Sequence, residues 1–433
     1  MVAPLKQREV AISRETSFGS GEDDWDAIAT GGKFYALEVA PEFYENKTEN
    51  ENLRSRASDT PEGIVLPKTV ACPLTTYLYG AQAPAADQAQ AARLVRDELL
   101  LNALQGETLG YRADITGGVD TAPTTTPGVS DAQASYTWGF FFDTSEGAGH
   151  FRKLTDVTLG GGGDNTANMA AGHALPFTPA AGDVMHATVV HFPDWDLLED
   201  HAEPQVSHAI FIRGKDPAHI HEAQGIRFGV EVGEVASGTP TKLDFTAMGV
   251  DFTDPERYDG ADLVVPTLAG TPEGNPSTVP GRGSTTRVWI ADVGANLGAQ
   301  QFWGSITPTL GIKPDPSEGP NGRNGIHGFG VSNESYDATG VEVMVPRERF
   351  WKTDFRAGTH KHMLIQVGDQ PGNTWFLYFP RLELRDEPKD ADHRGRDAYT
   401  LTFKAREANV STIGLTTTEA HRARAKFEIG RVG

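Results

Sequence analysis

The residues best suited to chemistry are the two histidines and the glutamate of the run His219-Ile220-His221-Glu222. Alternate residues of a strand share one face, so the two imidazoles are spaced to bind one metal ion. Pro217 and Gly225 flank the run and indicate a loop, and no third ligand is fixed by spacing. A metal-dependent hydrolase built on these three residues therefore remains an alternative, and no metal site is predicted.

Other reactive residues lie in contexts that disfavour catalysis. In Thr359-His360-Lys361-His362 a lysine separates the two histidines, which argues against a metal. Cys72 precedes Pro73 in a β segment, a poor place for a nucleophile, and no Gly-x-Ser-x-Gly elbow occurs. The glycine run 160–163 lacks the Lys-Ser/Thr of a phosphate-binding loop. We therefore predict a protein that is not an enzyme, with no catalytic, cofactor-binding or metal-binding residues and no cofactor.

Aromatic side chains raise a second alternative, a β-rich carbohydrate-binding module. Tryptophans are scattered along the chain and are explained equally well as core residues; they are Trp195, Trp289, Trp303, Trp351 and Trp375. His186 and His191 fall in a predicted strand and are interpreted as surface or partly buried residues.

Composition restricts the class of protein. The 433 residues predict more than one domain, and 48 Gly with 27 Pro favour many short strands. The net charge of −21 disfavours ordinary nucleic-acid binding and anionic membranes. One cysteine excludes an intrachain disulfide. We expect no signal peptide at the N-terminus and no membrane-spanning run, hence synthesis in a cytoplasm and no membrane partner.

Two similar hairpin patterns carry the organisation of the chain. The first joins residues 226–232 to 242–248, and the second joins 375–384 to 398–405. Aromatic and β-branched residues alternate in both, which is typical of strands. Helices are predicted over 84–105 and from Pro346 to Phe355, one in each half.

The repeated hairpins predict two tandem modules. We expect an extended N-terminal arm over 1–33 and a first β module over 34–255. A linker follows over 256–284, and a second β module over 285–433. Residues rich in Gly, Thr and Asp over about 107–200 are interpreted as an insertion of long loops in the first module, and 314–330 as a polar loop.

The second half resembles the tail tube proteins of long-tailed bacteriophages. The resemblance rests on the β pattern of 288–297 and 341–345, the run from Phe350 to Thr359, and the strands 363–368, 372–381 and 399–403. Ser13-Arg14-Glu15-Thr16-Ser17-Phe18-Gly19 resembles the opening of many such proteins. The resemblance covers 10–20 and 285–408, and more loosely 206–254.

This resemblance implies a mainly β (β+α) fold of two tandem tail-tube-like β-barrel or sandwich modules, each with a flanking helix. Such modules assemble into rings that stack into a hollow tube through which DNA passes. It implies location in the virion tail, with the tape measure protein, tail terminator and distal tail proteins as further partners. Two modules per chain predict a homotrimer forming a pseudo-hexameric ring, in preference to a hexamer. An acidic lumen would repel DNA over about 8 Å and let it slide.

Overall fold

In a computed structural model the chain is mainly β, with 58% strand and 10% helix, which confirms the predicted fold class. The structure describes residues 9–20, 31–34, 38–40, 42–44, 47–49, 63–65, 68–78, 91, 93–126, 138–158, 164–199, 206–213, 220–236, 240–253, 286–298, 304–323, 325–408 and 424–433. The predicted linker 256–284 lies outside this part of the chain, as do residues 1–8 of the predicted arm.

Short strands precede the first helix. They are β1 (Glu9–Arg14), β2 (Gly31–Phe34), β3 (Glu38–Val39), β4 (Glu42–Tyr44), β5 (Lys47–Glu49), β6 (Gly63–Val65), β7 (Thr69–Ala71) and β8 (Leu74–Tyr77). Helix α1 (Val95–Leu104) follows. It begins later than predicted within the described residues, and residues 84–90 lie outside them.

The middle of the chain continues with strands around one short helix. These strands are β9 (Gln105–Leu109), β10 (Ala113–Val119), β11 (Ala122–Thr125), β12 (Trp138–Asp143), β13 (Ala148–Thr158), β14 (Asn165–Met169), β15 (Val184–His186) and β16 (Thr188–Pro193). Helix α2 (Trp195–Glu199) comes next. Then follow β17 (His208–Arg213), β18 (Ile220–Val232), β19 (Val235–Ala236), β20 (Lys242–Met248) and β21 (Asp251–Thr253).

The last part of the chain carries two helices among its strands. Its strands are β22 (Thr286–Asp292), β23 (Ser305–Thr309), β24 (Pro314–Arg323), β25 (Ile326–Val331), β26 (Gly340–Pro346), β27 (Lys361–Val367), β28 (Trp375–Leu384), β29 (Lys389–His393), β30 (Arg396–Ala405) and β31 (Glu428–Val432). Helix α3 (Asn333–Asp337) precedes β26, and α4 (Arg349–Ala357) follows it. The helix predicted after Pro346 is thus confirmed.

The first sheet is antiparallel and has the order β2–β1–β17–β18–β20, with β7 and β8 beside β20 and with β4 and β3 outside them. In β20 the buried residues alternate with exposed ones, so Leu243, Phe245 and Ala247 face the core. The first predicted hairpin is confirmed, because β18 pairs with β20 from Arg227–Met248 to Val232–Leu243.

The second sheet repeats this order. Its antiparallel path runs β22–β27–β28–β30–β26–β23. The long strand of each sheet also takes a further partner at its beginning, β21 on β18 and β31 on β28. The second predicted hairpin is confirmed by the pairing of β28 with β30.

The correspondence extends to the register. β18 has one extra residue between the pairs Ile210–Ala223 and His208–Ile226, and β28 has one between Met363–Phe379 and Lys361–Leu382. A bulge suits both sequences, because Gly225 adopts φ 62 in one and Pro380 lacks an N–H in the other. One constant shift along the chain relates both hairpins, so that Ile226 corresponds to Leu382 and Phe245 to Leu401.

The helices mark where the two sheets differ. Gln105 and Gly358, with φ 62 and 64, end α1 and α4 in the left-handed conformation. After Gly358 the chain enters β27 almost at once, whereas after Gln105 it makes the whole excursion to β17. The Gln105 amide closes this excursion, because its nitrogen donates to the Val206 carbonyl at 3.2 Å and its oxygen accepts from the Val206 N–H at 3.2 Å.

The excursion is a closed barrel, so its interpretation as long loops is wrong. Six strands pair antiparallel in the order β10–β11–β14–β13–β12–β15. Its interior holds small and apolar side chains, namely Ala113, Ile115, Phe141, Leu154, Val157, Ala167, Leu175 and Met185. The strands contain many Thr, Asn and Gly residues, and only closure of the sheet supplies them with a buried face.

This barrel packs on the second sheet, although its sequence interrupts the first half. Its entry strand β9 pairs with the exit strand β16, which pairs with β31. Trp138, Phe140 and Phe151 form one apolar cluster with Trp289 and Phe376. The Gln366 side chain on β27 adds polar anchors, because it accepts from the Phe151 N–H at 3.2 Å and donates to the Gly149 carbonyl at 2.8 Å.

Two further segments differ from expectation. The polar loop predicted over 314–330 is wrong, because β24 and β25 form an antiparallel hairpin whose Phe329 and Val331 are buried. Residues 9–14 of the predicted arm form β1, which lies inside the first sheet between β2 and β17. Val10 and Ile12 are fully buried there and belong to the main core, which spans both sheets.

Candidate assembly site

The two sheets are joined edge to edge by backbone pairing. β19 leaves its own hairpin and pairs antiparallel with β23, with Val235 opposite Ile306 and Ala236 opposite Ser305. The Val230 N–H also donates to the Ile312 carbonyl at 3.0 Å. A sheet edge exposes unpaired N–H and C=O groups, so this contact can be made with little side-chain specificity.

A carboxylate completes this junction. Glu231 accepts hydrogen bonds from the Leu310 N–H at 2.7 Å and the Gly311 N–H at 2.9 Å. Burial raises the pKa of Glu231, while the two N–H donors and Lys313 act in the opposite direction. Glu231 therefore ends the edge strand of the neighbouring sheet by satisfying two backbone donors that the ladder leaves unpaired.

Close packing at the junction depends on one glycine. A Cβ at Gly229 would lie 2.3 Å from the Ile312 carbonyl oxygen and 2.8 Å from the Pro314 ring. No real side chain tolerates such distances, so the second sheet reaches the first only because residue 229 has no side chain.

Each sheet also has an edge that faces away from this junction. In the first sheet β3 and β4 are outermost, and Glu38 and Glu42 are exposed. In the second sheet β29 pairs with β30, and Lys389, Asp390 and Asp392 are exposed. Beside β23 and β30 lies a groove of about 460 Å³ lined by Thr307, Thr309, Glu334, Asp337, Ala338, Gly340, Val341, Glu342, Arg385, Thr402, Phe403 and Lys404.

The residues of the hypothetical metal site are not brought together. His219 and the side chain of His221 lie outside the described part, while Glu222 is buried and accepts from the Gln224 amide at 3.0 Å. Among the described residues no group of three or more His, Cys, Asp or Glu side chains is arranged to hold a metal ion.

Histidines elsewhere have structural partners. His362 is buried, 3.3 Å from the Tyr378 hydroxyl and 2.8 Å from the Ala295 carbonyl oxygen, and burial lowers its pKa to about 4. Lys361 forms ion pairs with Asp292 and Asp354 at 2.5 and 2.6 Å. The interpretation of His186 and His191 as surface or partly buried is wrong, since they are 7% and 0% exposed.

Tryptophans are also part of the core. Trp289, Trp351 and Trp375 are at most 4% exposed, and Trp195 stacks on Tyr336 with ring centroids 4.3 Å apart. Trp303 lies outside the described residues. The described members therefore offer no surface platform for a sugar. Cys72 is fully buried as well, with its N–H donating to the Ala247 carbonyl.

Buried ion pairs that sequence analysis did not identify tie α1 to the sheets. Asp97 and Arg431 are fully buried and joined by two-point contacts, with Arg431 Nε 3.1 Å from each Asp97 oxygen. Burial disfavours the Asp97 carboxylate, but the charge of Arg431 and a hydrogen bond from His191 hold its pKa well below its usual range. A charged residue inside an otherwise apolar helix face was the available signal, in Asp97-Glu98-Leu99-Leu100.

Asn102 supports the bulge of the first sheet. Its amide nitrogen donates to the Ile226 carbonyl at 2.8 Å, and its oxygen accepts from the Phe228 N–H at 2.8 Å. These are the backbone groups next to the bulge, which strand partners leave unsatisfied. The helix thus fixes the point from which β18 runs on to the junction with the second sheet.

Comparisons with known proteins identify no relative. No protein-family model matches the sequence, and no curated protein is significantly similar to it. No helix among the described residues is long and apolar enough to cross a membrane.

Proposed function

We propose that this protein is a structural virion protein, the tail tube protein of a long-tailed bacteriophage, and that each chain contributes two tube modules. The observation that supports this most strongly is the repetition of strand order, bulge and hairpin register in two sheets joined through β19 and β23. A junction between equivalent modules is the unit from which a ring is built. The resemblance in the second half supplies the kind of ring.

The shape of the junction favours assembly by head-to-tail contacts. β19 of the first sheet binds the β23 edge of the second, so the two partners use different surfaces. Contacts of this kind close into rings or continue as filaments. Three chains with two modules each would form a pseudo-hexameric ring, and we prefer this homotrimer to a hexamer.

Charge supports passage of DNA rather than its capture. The net charge of −21 repels phosphates, and Lys and Arg are outnumbered 38 to 59 by Asp and Glu. A wall of this composition would keep DNA in transient contact only. The tape measure protein inside the tube, and the tail terminator and distal tail proteins at its ends, would be the other partners in the virion, after synthesis in the host cytoplasm.

Electron microscopy of the concentrated protein tests this proposal. The protein is purified, its mass in solution is measured, and it is imaged by negative stain at low and high salt, because salt screens the repulsion between acidic chains. Hollow tubes or stacked rings with three chains are the expected result. A ring of six chains would overturn the trimer, and a monomer under all conditions would contradict the tail tube function.

A further inference from the structure

β19 and β29 stand at corresponding places in the two hairpins but pair differently. In the first hairpin the pairing of β18 with β20 reaches Val232–Leu243, and β19 then turns away to the second sheet. In the second hairpin β29 folds back onto its own β30, with Lys389 opposite Thr400. The shift that relates Ile226 to Leu382 relates β19 to Ala391 and Asp392 within β29.

The strand that β19 binds also has a counterpart. Ile306 on β23 lies opposite Val343, which lies opposite Leu401. In the first sheet Val39 on β3 lies opposite Leu74, which lies opposite Phe245. Val39 therefore occupies the position of Ile306, and Glu38 that of Ser305.

These two counterparts lie at opposite ends of the chain's own pair of sheets. Among the described residues β3 pairs with β8 on one side, and no strand pairs with its other side. β29 likewise pairs with β30 alone. The interaction that β19 makes inside the chain is thus left open once at each end, and a second copy of the chain supplies the missing partner for each.

We propose that β29 of one copy adds to the β3 edge of a second copy in the register of β19 on β23. Ala391 then lies opposite Val39, and Asp392 lies opposite Glu38. This inference rests on the proposed function, because it gives the contact between chains in the ring. It requires β29 to leave β30, as β19 has left β20.

A conserved chemical detail of the two hairpins supports the same contact. Glu231, which accepts two backbone N–H groups of the second sheet, corresponds under the same shift to Glu387. Glu387 is exposed in the single chain. In the ring its carboxylate faces the backbone of β4 on the neighbouring copy, as Glu231 faces the backbone after β23.

The pairing has an electrostatic consequence. Inside the chain the second pair of the contact is Ala236 and Ser305, which are uncharged. Between chains it is Asp392 and Glu38, two like charges directly opposite each other, an arrangement that destabilises a sheet pair. Association of free chains should therefore strengthen as salt screens this repulsion.

Disulfide trapping tests the register. Glu38→Cys and Asp392→Cys are made separately, both at exposed positions. Opposite residues of an antiparallel pair have Cα atoms about 4.5–5.5 Å apart, within reach of a disulfide. Lys389→Cys is the matched control, because it lies three residues, or about 10 Å, further along the strand. Circular dichroism checks that each variant is folded, and native Cys72 is fully buried.

The variants are mixed at high concentration and high salt, oxidised, and resolved on non-reducing gels. We expect a covalent dimer from Glu38→Cys with Asp392→Cys, and at least tenfold less from either variant alone or from Glu38→Cys with Lys389→Cys. Glu387→Lys should lower the yield of assemblies, whereas Glu146→Lys, an exposed carboxylate in the barrel, should not. Tubes that form without this cross-link, or with the control pair, would overturn the contact but not the tail tube function. Absence of any assembly would contradict both.

Discussion

Breaking the buried pair of Asp97 and Arg431 should be among the most damaging polar changes in this protein. Both side chains are fully buried, and they join α1 of the first half to β31 at the end of the chain. Asp97→Asn or Arg431→Met leaves one buried charge without its partner, which costs about 3–5 kcal/mol. Replacing both removes both charges, so the double variant should cost at least about 2 kcal/mol less than the sum of the singles.

The assay is urea unfolding of the wild type, both single variants and the double variant at pH 7. It is followed by far-UV circular dichroism and by tryptophan fluorescence, because only coincident transitions allow one free energy of unfolding to be assigned. At pH 7 Asp97 is ionised, since its pKa lies below the usual range. Glu383→Gln is a matched control, because the Glu383–Arg406 pair is exposed and should contribute at most about 1 kcal/mol. Additive losses in the double variant, or single losses as small as the control, would refute the reasoning.

Two further predictions concern the junction and the response to acid. Gly229→Ala should cost about 1–3 kcal/mol in urea unfolding, because the new methyl group would overlap the Ile312 carbonyl, whereas Gly233→Ala meets neighbours no closer than 3.5 Å and should cost less than about 1 kcal/mol; equal losses would contradict the close approach. Burial lowers the pKa of His186 and of His362 to about 4, so between that value and about 6.5 the unfolded chain binds more protons and the folded state is lost on acidification. Each imidazole should lower the free energy of unfolding by about 2 kcal/mol from pH 7 to pH 5, and a melting temperature that stays constant over this range would argue against it.

Local pattern predicted the elements whose burial is one-sided. Alternation of apolar and polar residues in Lys242–Met248 identified β20, and the same pattern identified the second hairpin. Pro346 followed by a helical run identified α4. These segments carry their hydrophobic face in their own sequence, so no distant partner was needed to recognise them.

The barrel escaped recognition because its strands carry little pattern of their own. Asn165–Met169 and Ala122–Thr125 read as turn residues, and they become strands when closure supplies partners on both sides. Residues 314–331 were mistaken for a loop for the same reason, since Gly and Pro in β24 conceal a pairing that β25 completes. Histidine burial was missed because His191 lies between Asp97 and Glu107, which are distant in sequence.

The sequence by itself determined that the protein is mainly β, acidic, and built on two hairpins of the same kind, because composition and period-two alternation are local properties. Tertiary structure decided the rest. It placed the inserted barrel on the second sheet, set the same bulge in Ile220–Val232 and Trp375–Leu384, and joined the sheets through β19 and β23. Edge pairing uses backbone groups that every residue carries, so no side-chain pattern announces it. Only the positions of the strands show which edges are filled and which are left for another chain.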